Sequence, residues 1–178
     1  LHVGGNYVYA GTGGAAPNLQ KPKTNDYVPS TLKDLYNAAR LADRLTNISF
    51  FSRSLVAGDI EDPLEFDLST AAASLAGTSK HVMVQASHSS HVIAIAELCY
   101  KIAGGEESFR KRPFLSLHVN HAVPPLRFDP ESIKVMMEAV KRGIPVHCNV
   151  FGQLGASSPV TIAGSVSQTL AENLAGLV

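Results

Sequence analysis

The segment FLSLHVNHAVPP, residues 114–125, decides how the fold is read. Its first half alternates. Leu115, Leu117 and Val119 fall on one side of an extended chain, and Ser116, His118 and Asn120 on the other. The segment IPVHCNVFG, residues 144–152, repeats the spelling, with His147 and Asn149 opposed to Val146 and Cys148. HVMVQAS, residues 81–87, sets Val82, Val84 and Ala86 against Met83, Gln85 and Ser87. In NISFFSR, residues 47–53, Ser49, Phe51 and Arg53 share a face. Each of these strands therefore has one apolar side and one partly polar side.

Helical patterns separate the strands. Thr31 and Asp34 form a capping box that opens a helix running to about Leu45. Asp62 and Pro63 open a second, with Leu64, Leu68, Ala71 and Leu75 as its stripe and Gly77 as its stop. Residues 91–105 form a third, striped by Val92, Ile95, Cys99 and Ile102. Asp129-Pro130 opens a fourth, striped by Ile133, Met136 and Val140, and Ser158-Pro159 opens the last. Strands alternating with helices demand a parallel sheet with right-handed crossovers. An open doubly wound sheet is covered on both faces, so its strands read as near-continuous apolar runs. One apolar and one polar face per strand suits a barrel, covered outside by helices and facing itself inside. A complete (β/α)8 TIM barrel takes roughly 250 residues. The expectation is about half of such an α/β barrel: a loop or cap region over 1–29, then β/α repeats over 30–178. The chain opens on Leu1 and ends within a helical pattern, as a segment of a longer protein would, and half a barrel would need its missing strands to be stable.

Composition narrows the function. Lys+Arg 15 balances Asp+Glu 15, which leaves no basic field for nucleic acid. No apolar run reaches membrane-spanning length, and the opening residues lack the blocks of a secretory signal. The two cysteines form no paired motif and read as reduced thiols, which points to the cytoplasm. Seven histidines raise the question of a metal, but no zinc signature is present, and His147 and Cys148 point to opposite faces. No metal is expected. GTGGAAPN, residues 11–18, reads as a plain or substrate-capping loop rather than a phosphate cradle.

Active sites of such barrels lie at the C-terminal ends of the strands. The inward set is Arg53, Gln85, Ser87, His118, Asn120, His147 and Asn149. His118 and His147 lie one layer deep and read as core residues that orient their neighbours. Asn120 and Asn149 reach the mouth, with His121 just beyond, and these three are the candidate catalytic residues.

Long ordered blocks, among them LTNISFFSRSLVAGDIEDPLEFDLSTAAASLAGTSKHVM and RPFLSLHVNHAVPPLRFD, with RGIPVHCNVFGQLGASSPVTIAGSVSQTLAENLAGLV, resemble the trimethylamine methyltransferase superfamily, including its glycine betaine members. The resemblance implies a TIM barrel. It implies methyl transfer from a methylated amine, quaternary as in glycine betaine or else trimethylamine, to the cobalt of a corrinoid. That cobalamin-type cofactor would be presented by a partner corrinoid-binding protein and not bound directly. A methylated cation suits aromatic faces, and a carboxylate suits hydrogen-bond donors. The candidate substrate-binding set is therefore Arg53, Phe51, Gln85, Ser87, Phe151 and Gln153, although core packing is the ordinary role of each aromatic. Self-association of like chains is left open. Two other functions fit the residues: a non-catalytic barrel segment that binds a small ligand, and a metal-assisted barrel hydrolase.

Overall fold

A computed structural model describes residues 4–177. Residues 1–3 and 178, at the two ends of the predicted cap and repeat regions, lie outside the described residues. The main sheet has five parallel strands: β1 (Ala10–Gly11), β4 (Ile48–Ser52), β5 (His81–Val84), β6 (Leu115–Val119) and β9 (Val146–Cys148). Their spatial order is β1-β4-β5-β6-β9, so each strand lies beside the one before it. A doubly wound sheet reverses its order at a switch point. This one never reverses, and it curls as part of a (β/α) barrel does. Ala10–Gly11 lie in the region expected to be only loop or cap, so there are five βα units and not four. A two-residue strand containing glycine has no alternation to detect.

The helices between strands are α1 (Leu32–Arg44), α2 (Pro63–Gly77), α3 (Ser89–Ala103) with the short α4 (Glu106–Lys111), α5 (Pro130–Lys141) and α6 (Ile162–Ala175). Two antiparallel hairpins complete the chain. One pairs β2 (Asn18–Gln20) with β3 (Tyr27–Pro29), and the other pairs β7 (Ala122–Val123) with β8 (Arg127–Phe128). Helix starts follow the expected chemistry. The Thr31–Asp34 capping box is formed, and Asp62 and Asp129 accept from Glu65 N and Ser132 N ahead of Pro63 and Pro130. The last helix starts later than expected. Thr161, not Ser158, accepts from Gly164 N, while Ser158 Oγ bonds Ser165 Oγ.

The apolar strand faces build the core. Val82, Val84, Leu115, Leu117 and Val119 are buried against Val92, Ile95, Cys99, Val135 and Ala139. Burial pushes the Cys99 thiol up to about 12, so it stays protonated and inert. A second cluster joins Phe51 to Leu35, Ala39 and Ala42 of α1.

Three helical stripes differ from expectation, and in α3 it is Ile102 that is exposed while Val92, Ile95 and Cys99 are buried. Helix α2 buries Asp67, Thr70, Ala71, Ser74 and Gly77, while Leu64 is exposed. Helix α5 buries Val135 and Ala139, and Val140 is exposed. In α2 close approach is the reason. A Cβ on Gly77 would lie 2.6 Å from Ala39 Cβ and 2.9 Å from the Tyr36 carbonyl oxygen, so the α1–α2 crossing admits only small residues there. The buried hydroxyls bond within α2, Thr70 Oγ1 to the Asp67 carbonyl and Ser74 Oγ to the Thr70 carbonyl. The substitution Gly77→Ala is expected to destabilise the full-length protein by about 1–3 kcal/mol through overpacking, read as a lower urea midpoint at unchanged slope.

Candidate active site

A cleft of about 270 Å³ opens at the C-terminal ends of β4, β5 and β6. Its strand side is formed by Arg53, Gln85, Ser87, His118 and Asn120. Its helix side is formed by Phe66 of α2 and by Asp129, Glu131 and Ser132 at the start of α5. A second cavity of about 230 Å³ shares Arg53, Gln85, His118 and Asn120 and adds Ser52, Gly14, Ala15 and Phe151. The glycine-rich loop thus reaches the mouth, where Thr12 Oγ1 donates to the Ser52 carbonyl and accepts from Ser52 N.

The structure brings together Arg53, Gln85, Ser87 and Asn120 from the expected set, with Phe151 at the margin. Asn149 joins through His118, its Nδ2 donating to His118 Nε2 at 2.6 Å. The other three lie elsewhere. Phe51 is fully buried beneath α1. Phe51 and Arg53 share strand parity, but β4 ends at Ser52, and the chain turns Arg53 into the mouth. His121 is fully buried, its Nε2 donating to the Glu172 carbonyl of α6 at 2.9 Å. A Cβ on Gly176 would lie 2.6 Å from that same nitrogen, so the ring and the end of α6 meet without spare room. Gln153 is exposed beyond both cavities, and its carbonyl accepts from Ala156 N, Ser157 N and Ser158 N. Of the two inward histidines, His118 is half-buried in the cleft wall, and His147 is exposed on the edge strand.

The cleft separates opposite charges. Arg53 Nη2 donates to Gln85 Oε1 at 2.7 Å, and its guanidinium lies 5.2 Å from the centre of the Phe66 ring. Burial pulls the Arg53 pKa down, and the nearby Asp67 carboxylate pulls the other way. Across the cleft, Asp129 and Glu131 are held below the ordinary carboxylate range. The hydrogen bonds from Ser132 do this for Asp129 and those from Ser89 do it for Glu131.

Asp67, His91, Phe66, Asp129 and Glu131 escaped the sequence reading of the site. Asp67 left one trace, as an acid on a helix face that is otherwise small and uncharged. Asp129 was visible only as a helix cap. Among the described residues, no group of three or more His, Cys, Asp or Glu side chains is placed to hold a metal ion. No helix among them is long and apolar enough to cross a membrane.

On the inner face His81 bonds Ser116 Oγ at 2.8 Å, and His118 pairs in register with His147. Burial holds both His81 and His118 below the ordinary histidine value, and for His118 the facing His147 adds to it. Such groups bind fewer protons folded than unfolded. Their contribution to stability is full above about pH 6.5 and is lost as pH falls through the window below it. The urea midpoint is expected to drop between about pH 7.5 and 5.5, and His118→Gln is expected to flatten that drop.

Comparison with known proteins gives one family. The model of the trimethylamine methyltransferase (MTTB) family matches residues 1–178. The trimethylamine methyltransferase MttB of Desulfitobacterium hafniense is 27% identical over 165 residues, 93% of this chain and 33% of that protein. MttB of Methanosarcina barkeri is 32% identical over 152 residues, 85% of this chain and 30% of its own length. MttB of Methanosarcina thermophila is 30% identical over 156 residues, 85% of this chain and 31% of its own length. The chain thus spans about a third of the length of these relatives.

Proposed function

The chain belongs to the trimethylamine methyltransferase family, and from that premise we propose that it forms the amine-binding part of a methyltransferase. In this reading the enzyme works in the cytoplasm. It moves a methyl group from a methylated amine to the cobalt of a corrinoid carried by a partner protein. The observation that carries the reading is the charge layout of the cleft, with Arg53 on one side and Asp129 and Glu131 on the other. A zwitterion such as glycine betaine matches it, the carboxylate toward Arg53 and Gln85 and the methylated nitrogen toward the acids.

The chemistry asks little of the protein in proton transfer. When the N–CH3 bond breaks, its electron pair stays on nitrogen, and a quaternary ammonium leaves as a neutral amine. No general acid or base is required. What remains is to hold the methyl group in line with an approaching acceptor and to keep water out. The acceptor supplies the nucleophilic electron pair and enters as a substrate. The cleft lies at the open mouth of the strands, where a partner has room to present it.

A second substrate has support in the relatives' name, since MttB of Methanosarcina barkeri is a trimethylamine methyltransferase. A trimethylammonium ion would place its N–H against Asp129 or Glu131 and offer Arg53 no carboxylate. The test uses the full-length protein with its corrinoid protein reduced to the cobalt(I) state, and follows methylation in the visible spectrum. Glycine betaine is expected to react. No reaction with glycine betaine, trimethylamine or other methylamines would sink the proposal. The substitution Arg53→Gln is expected to raise the KM for glycine betaine about 10- to 100-fold, the worth of a charge-assisted hydrogen bond, and to spare tetramethylammonium.

A further inference from the structure

The cleft wall has a hydrogen-bond polarity that originates behind it. Asp67 is 1% exposed. Its Oδ2 accepts Ser87 N–H at 2.6 Å and lies 2.7 Å from His91 Nδ1, and its Oδ1 accepts from Ser87 Oγ at 3.1 Å. A carboxylate only accepts, so all three neighbours donate to it. His91, itself buried, therefore carries a ring proton on Nδ1. The Ser87 hydroxyl has one proton, and Asp67 takes it. Toward the cleft Ser87 is left with lone pairs alone. Gln85 shows the reverse. Its Oε1 is used by Arg53, so its amide hydrogens are what it offers the cleft. Two residues that follow β5 thus present opposite polarity: Gln85 donates and Ser87 accepts.

We propose that Asp67, held by His91, is a positioning residue that fixes Ser87 as an acceptor and makes that side of the cleft the seat of the cationic N-methyl head group. This rests on reading the cleft as a methylated-amine site. Methyl groups on a positive nitrogen have polarised C–H bonds, which lie well against oxygen lone pairs. The charge on Asp67 behind Ser87, with Glu131 and Asp129 beside it, adds negative potential at the same place. A substrate carboxylate is driven to the Arg53–Gln85 side. One consequence is discrimination by charge at fixed shape. The seat prefers a trimethylammonium group over a tert-butyl group, which has the same outline and no charge.

Calorimetric binding to the full-length protein tests this with glycine betaine and 3,3-dimethylbutanoate, its carbon isostere. The wild type is expected to favour glycine betaine. Asp67→Asn offers amide hydrogens and releases the Ser87 proton, and is expected to shrink the preference about tenfold, as loss of a hydrogen bond to a charged group would. Ser87→Ala removes the acceptor, keeps the bonds of Asp67 Oδ2 to Ser87 N and His91 at the loss of the one on Oδ1, and is expected to shrink it about fivefold. Ser87→Ala carries the test alone if Asp67→Asn fails to fold. A purely structural role for Asp67 would weaken both ligands alike and leave their ratio intact. Variants that keep the wild-type ratio, or a wild type that binds both ligands equally, overturn the positioning role alone. A wild type that binds neither ligand overturns the reading of the cleft and the positioning role together.

Discussion

The period of two along the strands is the constraint on which the rest of the structure depends. Val82, Val84, Leu115, Leu117 and Val119 are all buried beneath helices. Their neighbours in the chain are thereby forced to the other face, where the sheet meets no helix. A slip of one residue in β6 would drive Ser116 and His118 under α3 and α5 and turn Leu117 inward. Burying such polar groups without partners costs about 1–3 kcal/mol each, so the helices enforce the register. The polar inner face is a by-product of the apolar outer one. Its side chains then pair with each other, His81 with Ser116 and His118 with Asn149.

A second constraint acts through α2. The tight crossing at Gly77 brings this helix close to α1, and its small buried residues let it lie deep. Depth carries Asp67 to the loop after β5. A buried carboxylate is tolerated only when its oxygens are satisfied, and Ser87 and His91 satisfy them from two different elements. One acid therefore ties α2, the end of β5 and α3 into a single rigid corner. That corner is the back wall of the cleft, which is where a site gains most from rigidity.

The sequence was most legible where the physics is local. Caps at Thr31, Asp62 and Asp129 need only a side chain and the next turn of backbone, and the alternation in 115–119 needs only its own residues. Legibility failed where a residue's partner lies far along the chain. His121 reads as a mouth residue until α6 closes over it, and its acceptor is 51 positions away. Asp67 and His91 are 24 positions apart and on different helices. Arg53 and Phe51 share a parity that holds only while the strand lasts, and β4 ends between them. Arg53, Gln85, Ser87 and Asn120 were legible because all four lie at or just beyond strand ends, where topology alone brings them to one cleft.

The cleft also shifts how a methylated cation would be gripped. Aromatic faces are the usual partners of quaternary ammonium groups. Here the Phe66 face is already covered by the Arg53 guanidinium, and Phe51 is packed beneath α1. Phe151 is 69% exposed and borders only the second cavity. What the rest of the cleft offers a cation is a set of oxygens, from Ser87 on the strand side and from Asp129 and Glu131 on the helix side. In the proposed reading the cation is therefore seated by negative potential and lone pairs more than by a π face. Such a seat holds charge firmly and is indifferent to the number of methyl groups. Selectivity among methylated amines then falls to the far end of the ligand, where Arg53 and Gln85 either find a carboxylate or bond only each other.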